Sequence, residues 1–374
     1  MISTFKNIIK NLSNIPGWRT QRKIVVIESD DWGSIRMPSL KAYETLKYKG
    51  LNIDTKNRPY NTLDTLASVE DFEALFATLS SFTDKNGNHP VFTAMALSAN
   101  PDFKKIEDEQ FTAYYYQTIL DTLKDYNQEE AFSYWKKGEQ QKLFVPEFHG
   151  REHLNVNLWM KALQQKDKNT LEAFHQGFWG FRPHNLGGLA YQSAFYLDKP
   201  ESLDYHQEVI KSGVQLFEQL HSRKPSFFVP PNGAIHQKII DTAVKEGMTY
   251  VSSPKIHEEP QGNGKTKKQF RYIGKKGKND LIYLTRNCVF EPSYPDKGHS
   301  VQDCLGHIET AFKFRKPAVI CSHRLNYIGG LDEANRNAGN IALKNLLTQI
   351  LEKWPEVEFM TSVQLGKLIR NDKK

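Results

Sequence analysis

Short apolar strands alternate with amphipathic helices along most of the chain, and this alternation is what most limits its fold. The apolar runs at residues 23–27, 90–97, 226–229 and 318–322 are separated by helical patterns rather than by tight turns. Such an order predicts parallel strands covered by helices. About seven or eight repeats favour an α/β fold of the distorted (β/α)7-8 barrel type, with helical insertions, over an open sheet.

A single domain over residues 1–374 is predicted, because no linker rich in Pro, Gly or Ser divides the chain and no internal repeat is visible. Residues 99–141 are aromatic and charged and are predicted as a mostly helical insertion in the barrel. Such an insertion could form a lid, an additional substrate wall or an oligomer contact.

The composition is that of an ordinary globular protein, with 39% hydrophobic and 25% charged residues. No apolar run approaches the roughly 18 residues that a membrane-spanning helix needs. The three cysteines show no C-x-x-C spacing, which fits a reducing compartment and predicts neither a disulfide framework nor a thiolate metal site. Because residues 1–18 lack the apolar core and cleavage site of a secretory signal, a cytoplasmic location is predicted.

The net charge of +7 is a mild excess, and its densest patch lies at residues 265–278. No nucleic-acid partner is predicted, since no recognisable binding motif accompanies the charge. A solvated loop is one interpretation of the patch, and contact with an anionic substrate or phospholipid is the other. Apolar residues at helical spacing within residues 5–12 predict a packed terminal helix, with a membrane-surface anchor as the alternative. Nothing in the sequence sets the oligomeric state.

Three acids, Glu28, Asp30 and Asp31, stand within four positions at the end of the first predicted strand. Neighbouring carboxylates repel one another and are costly to desolvate, so this pattern indicates metal binding or proton transfer. The alternative is a solvated acidic turn that caps the next helix.

Polar residues follow several predicted strands at their carboxyl ends. They are Asp30 and Asp31, then His149 and His153, then Pro231 and Asn232, and finally His323. In barrel enzymes this face carries the active site, so these residues are expected to converge there.

His149 and His153 form an H-x-x-x-H pair, which would place two imidazoles on one face if the segment is helical. With Asp31 as a third ligand, the set leaves positions open for water and substrate, as in catalytic zinc sites. Asp30 could then act as general base, and His323 as the general acid for a leaving amine.

Two further groups of residues leave alternatives open. His299, Asp303 and His307 are four apart and could form a rival metal site on one helix face, although such stripes usually face solvent. His184-Asn185 and Asn326-Tyr327 could contact sugar hydroxyls or simply cap loops.

The segments SDDWGS, HGREH, FFVPPNG and VICSHR occur in this order, and together they resemble the NodB-like polysaccharide deacetylases, carbohydrate esterase family 4. The resemblance implies a distorted (β/α) barrel and a divalent metal. It also implies Asp30 as catalytic base, Asp31, His149 and His153 as metal ligands, and His323 as general acid.

The chain departs from the family pattern at several positions. Glu28-Ser29 replaces Thr-Phe in the first motif, and Val229 replaces the arginine that steadies the catalytic aspartate in the third. Arg182 or Arg324 could supply that guanidinium from another strand, and both are also candidate substrate-binding residues together with Pro231 and Asn232. The long spacing between Asp31 and His149 is attributed to the insertion.

The sequence therefore predicts a metal-dependent hydrolase that removes N-acetyl or O-acetyl groups from a saccharide or a sugar-linked precursor. One alternative is a glycoside hydrolase on the same barrel, which needs two carboxylates about 5–9 Å apart; Glu28, Glu147 or Glu152 could contribute one. The other is a carbohydrate-binding homologue without activity, which the absence of arginine at position 229 favours.

Overall fold

The structure is a computed structural model that describes residues 14–53, 59–183 and 189–372. Its strands are β1 (Ile24–Trp32), β2 (Phe92–Leu97), β3 (Ala99–Pro101), β4 (Tyr116–Thr118), β5 (Phe144–Gly150), β6 (Phe227–Phe228), β7 (Tyr250–Ser252), β8 (Ile256–Gly262), β9 (Lys265–Phe270), β10 (Lys275–Lys276), β11 (Ile282–Leu284), β12 (Cys288–Val289), β13 (Ala318–His323) and β14 (Glu358–Phe359).

The described residues also form α-helices and three 3-10 segments. The α-helices are α1 (Leu40–Tyr48), α2 (Tyr60–Leu63), α3 (Val69–Ser80), α4 (Phe103–Asp108), α5 (Ile119–Asp125), α6 (Ala131–Gln140), α7 (Val156–Gln164), α8 (Lys168–Phe174), α9 (Leu203–His221), α10 (Gln237–Lys245), α11 (Val301–Lys313), α12 (Glu333–Lys353) and α13 (Ser362–Asn371). The 3-10 segments are Pro200–Ser202, Pro231–Gly233 and Arg324–Tyr327.

One large sheet organises the molecule, with the strand order β10-β11-β7-β6-β5-β2-β1-β13-β12 and β14 paired to β1. Its pairings are parallel except that of β10 with β11. No pairing among the described residues joins β12 to β10, so the barrel is incomplete. The predicted α/β fold with a distorted barrel is thus confirmed, with the sheet left open at one side.

Strand β1 lies inside the sheet, where it pairs with β2, β13 and β14, and all nine of its residues are buried. Helices cover both faces of a parallel sheet, which explains why the strand begins with a continuous β-branched run rather than an alternating one. The strand is longer than predicted and includes the three acids, which therefore lie in the protein interior and not in a solvated turn.

The sequence pattern also predicts one helix over residues 154–174 and a strand or strand end over residues 177–183, and both predictions were wrong. The first segment is two helices, with Lys166 at a φ of +57° between them. The second pairs with no described strand. Its aromatic side chains, Phe178, Trp179 and Phe181, are instead buried in an apolar cluster with α7 and α8, so side-chain burial and not sheet pairing fixes the segment.

Residues 99–141 contain the β3–β4 hairpin and the helices α4, α5 and α6. Within α6, Gly138 allows close approach to the sheet, since a Cβ there would lie 2.7 Å from the Cβ of Phe144. The single-domain and insertion predictions stay predictions. The amino-terminal helix and the pair His184-Asn185 lie outside the described residues. No helix among the described residues is long and apolar enough to cross a membrane.

Candidate active site

An irregularity in β1 aims two neighbouring carboxylates at the same cavity. Ser29 pairs with Ala94 and Trp32 with Ala96, so three steps along β1 match two along β2. Asp31, within this bulge, has a φ of +76°. Side chains normally alternate between the faces of a strand, and an extra residue interrupts that alternation. Asp30 and Asp31 consequently both line one cavity of about 850 Å³.

His149 also lies at a bulge, in the strand on the other side of β2. Ala96 pairs with Phe148 and Leu97 with Gly150, which leaves His149 as the additional residue. His153 follows in a loop, and α7 begins only at Val156. The helical geometry expected for the H-x-x-x-H pair was therefore wrong, although the strand-to-loop turn brings the two ring centroids to 5.2 Å.

Asp31, His149 and His153 form a candidate metal site, with one ligand atom from each side chain within 4.8 Å of the others. Nε2 of His149 lies 3.4 Å and Nε2 of His153 3.2 Å from Oδ1 of Asp31. All three side chains are buried, and Oδ1 of Asp31 and Nε2 of His149 have no hydrogen-bond partner among the described residues. Buried polar atoms without partners are costly, so these atoms fit a cation.

The protonation of the three side chains also fits a cation. Nδ1 of His149 lies 2.7 Å from the carbonyl oxygen of Val229; a carbonyl only accepts, so Nδ1 carries the proton and Nε2 offers its lone pair. Burial lowers the pKa of His153. Burial alone would raise the pKa of Asp31, but the neighbouring imidazoles hold it well below its usual value. Neutral imidazole and carboxylate are the forms that bind metal.

Asp30 is held by Arg286, from the segment between β11 and β12. Nη1 and Nη2 each donate to one Asp30 oxygen at 2.6 Å, and Nε donates to Glu28 at 2.6 Å. Burial alone would raise the pKa of Asp30, but the charge and hydrogen bonds of Arg286 hold it below its usual value. Asp30 is thus an oriented carboxylate that can accept a proton.

Neither arginine that the sequence nominated for this role contacts Asp30. Arg324 is fully buried and donates to Asp64 and to the backbone oxygen of Ser34. Arg182 is exposed and lines the cavity. Arg286, from a different part of the sheet, therefore makes the contact with Asp30 that the motif resemblance gives to an arginine at position 229.

His323, at the end of β13, is positioned by a carboxylate. Its Nδ1 lies 2.6 Å from Glu291, and Nε2 lies 3.8 Å from Asp30. The second oxygen of Glu291 accepts from the buried amide of Asn326 at 2.7 Å. Burial alone would lower the pKa of His323, but Glu291 raises it to about 9, so the ring is a proton donor at neutral pH.

The predicted substrate-binding residues do not all reach the cavity. Asn232 and Arg182 line it, whereas Pro231 and Arg324 do not. Asn326 and Tyr327, considered as sugar contacts, are fully buried and bond within the protein. They stabilise Glu291 and Ser322 from inside the protein and do not contact the cavity.

The rival metal site is not assembled in the described part of the chain. Asp303 closes a capping box with Ser300 at the start of α11. No metal-ligand grouping found among the described residues includes His299, Asp303 or His307.

The important residues that the sequence analysis missed are Arg286 and Glu291. Both follow short strands, β11 and β12, at their carboxyl ends. The rule that selected the other candidates would have selected Arg286 too, had the three-residue strand before it been given the same weight.

No model of a known protein family matches the chain, and no curated protein sequence matches it. Among solved structures, it is similar to a protein from Mycobacterium smegmatis assigned as a polysaccharide deacetylase, with 9% identity over 96% of this chain and 94% of that chain and a TM-score of 0.44. It is also similar to the α-amylase AmyC from Thermotoga maritima, with 9% identity over 94% and 75% of the two chains and a TM-score of 0.46.

A third similar structure is the Xyl-CE4 domain of a multidomain xylanase from the hindgut metagenome of Trinervitermes trinervoides. It shares 9% identity over 93% of this chain and 91% of that chain, with a TM-score of 0.36. The deacetylase family that the sequence motifs resemble is thus represented among these structures. These structural similarities are distant, so the site residues and not the similarities carry the functional inference.

Proposed function

We propose that the protein is a metal-dependent hydrolase that removes acetyl groups from an acetylated saccharide or sugar-linked precursor. The observation that carries this proposal is the gathering of Asp31, His149 and His153 in one cavity with Asp30 and His323. A buried two-histidine, one-carboxylate set leaves coordination positions open, and zinc is the ion we propose for it.

A divalent ion held by Asp31, His149 and His153 would supply a Lewis acid for the acetyl carbonyl. The protein's own residues provide the proton transfers. Asp30, fixed through both oxygens by Arg286, accepts a proton from the attacking water as general base. His323, protonated through its contact with Glu291, donates a proton from Nε2 to the departing amine or alcohol.

The relative positions of Asp30 and His323 suit these roles. The oxygens of Asp30 face the cavity from the sheet, and His323 lies beside them on the next strand, since Asp30 and His323 are direct partners in the β1–β13 pairing. A base and an acid on paired residues can serve the two sides of one scissile bond. Their opposite pKa shifts keep Asp30 ionised and His323 protonated over the same pH range.

The two alternatives lose their supporting observations. A glycoside hydrolase would have drawn on Glu28, Glu147 or Glu152. Glu28 bonds to Arg286, Glu147 to Arg223 and to backbone N–H groups, and Glu152 to Arg151. None of the three lines the cavity. The inactive homologue was favoured by the missing arginine, and Arg286 now fills that role.

The test separates metal binding from catalysis. His149→Ala is expected to lose bound zinc and all acetate release, because one of three ligands is gone. Asp30→Asn should retain zinc but lose at least ~100-fold in rate, as removal of a general base does. Zinc is measured by elemental analysis and acetate by an enzyme-coupled assay on chitooligosaccharides. His175→Ala, at a half-exposed histidine with a 48% exposed side chain, is the matched control. Zinc content and acetate release that neither change affects would refute the assignment.

A further inference from the structure

Arg36, in the loop after β1, is a largely enclosed cation that the proposed reaction does not use. Its side chain is 11% exposed and lines the cavity. Among the described residues it makes no hydrogen bond, and its Nε is buried without a partner. Its ion pair with Asp31 is long, 3.9 Å from Nη1 to Oδ2. A buried N–H donor without a partner is costly, and a guanidinium offers four further donors beside Nε.

The surroundings of Arg36 fix its orientation and leave its edge available. The ring of Tyr60 covers one face, 4.4 Å from the guanidinium carbon, and Tyr60 is itself held by a 2.9 Å hydrogen bond from Tyr294. Gly180 packs against the stem, where a Cβ would lie 3.2 Å from Cγ of Arg36. Because all five donors lie in the guanidinium plane, a ring stacked on the face does not block them.

The other charges of the cavity are matched once a divalent ion is bound. Its acidic residues are Asp30, Asp31 and Glu291; Arg286 pairs with Asp30 and His323 with Glu291, while the imidazoles beside Asp31 are neutral and leave its charge to the ion. A divalent ion at the metal site would leave the cavity positively charged. Arg36 and the exposed Arg182 are therefore cations without a full counter-charge, and the cavity is suited to an anion.

We propose that Arg36 binds a carboxylate of the saccharide, so that the substrate is an acetylated acidic sugar; this rests on the proposed function. The edge of one guanidinium offers two parallel N–H donors, which match the two oxygens of a carboxylate. A phosphate dianion is disfavoured, because it would add a second negative charge beside Asp31 and only one free guanidinium is buried here. Arg36 is thus a specificity residue and not a catalytic one.

The test compares two ligands that differ only in charge. A hyaluronan tetrasaccharide, in which N-acetylglucosamine alternates with glucuronate, and its carboxyl-reduced neutral form are titrated calorimetrically into the zinc-loaded chain carrying Asp30→Asn, so that the charge of the ion is present and binding is measured without turnover. The acidic form is expected to bind at least ~10-fold more tightly, as a charge-assisted pair predicts. Arg36→Gln should remove this preference while leaving the affinity for the neutral form within about twofold.

Arg370→Gln, which removes a charge from the exposed side of the last helix, is the matched control and should keep the preference. Equal affinity of the zinc-loaded Asp30→Asn protein for the two tetrasaccharides, no binding of the acidic one, or tighter binding of N-acetylglucosamine 1-phosphate would overturn the proposal. So would an equal loss of both affinities in Arg36→Gln, or loss of zinc from the reconstituted variant, since either assigns Arg36 to the architecture of the site. A preference for the acidic form without acetate release would refute the proposed function and leave this inference standing.

Discussion

Replacing Arg286 with methionine should destabilise the protein strongly, because it leaves two buried carboxylates without their counter-charge. Arg286 donates three hydrogen bonds at 2.6 Å, two to Asp30 and one to Glu28. The side chains of Glu28 and Asp30 are 0% and 8% exposed, so solvent reaches Asp30 only from the cavity and does not reach Glu28. Breaking a buried ion pair by removing one partner costs about 3–5 kcal/mol, and this is the loss of unfolding free energy that we expect.

The pH dependence of this loss follows from the direction of the pKa shift of Asp30. In the wild-type protein that pKa is depressed, so its stabilising contribution is present above the unfolded pKa of about 3.9 and is lost as the pH falls through the folded value. In Arg286→Met no guanidinium opposes the effect of burial, so the pKa of Asp30 rises. The difference in stability between wild type and variant should therefore be largest near pH 7 and shrink toward pH 4.

The assay is urea unfolding followed by tryptophan fluorescence, on metal-free protein, at several pH values. The triple variant Glu28→Gln, Asp30→Asn, Arg286→Met is the control, because it removes the buried charges together and should recover most of the stability. A single variant Arg286→Met that lies within about 1 kcal/mol of wild type at pH 7, or a difference that grows on acidification, would refute the reasoning.

The remaining predictions concern the support of His323. Glu291→Gln removes the anion that raises the pKa of His323 to about 9, so the alkaline limb of the acetate-release profile should move to lower pH, toward the ordinary histidine value of about 6.5; an unmoved limb would contradict the assignment of His323 as acid. Asn326 donates to Glu291, and Gly339→Ala would place a Cβ 1.6 Å from the backbone oxygen of Asn326. This clash should lower the free energy of unfolding, measured with urea, by about 1–3 kcal/mol or more. Gly306→Ala, at an exposed helical site with no atom within 4 Å, is its control and should stabilise by about 0.5–1 kcal/mol; equal effects of the two changes would contradict the close contact.

The general architecture and most of the site could be predicted from the sequence, because both follow local patterns. Apolar runs between helical segments indicate a parallel sheet, and the rule that strand ends carry the site selected Asp30, Asp31, His149 and His323. These four residues line one cavity in the structure. Their roles in binding metal and moving protons remain proposals.

What the sequence could not show depends on tertiary geometry. The bulges at Asp31 and His149 leave no signature in a short apolar run, so His149 was expected on a helix. Arg286 and Arg324 are both arginines near strand ends. Arg324 follows β13, the partner of β1, but donates to Asp64, whereas Arg286 reaches Asp30 from the segment between β11 and β12. Arg36 was not predicted for a related reason. It is a candidate because its Nε has no hydrogen-bond partner among the described residues, and a sequence does not show which hydrogen bonds a side chain lacks.

The bulge in β1 has a consequence for how this protein tolerates change. Deleting one residue between Ser29 and Trp32 would let β1 and β2 pair in step, and the strand itself would become more regular. Because only Asp30 and Asp31 lie between Ser29 and Trp32, the same deletion would remove one of the two aspartates of the cluster. Regularity of the sheet and a working cluster of acids therefore exclude each other here. Selection for stability alone would be expected to erase the site.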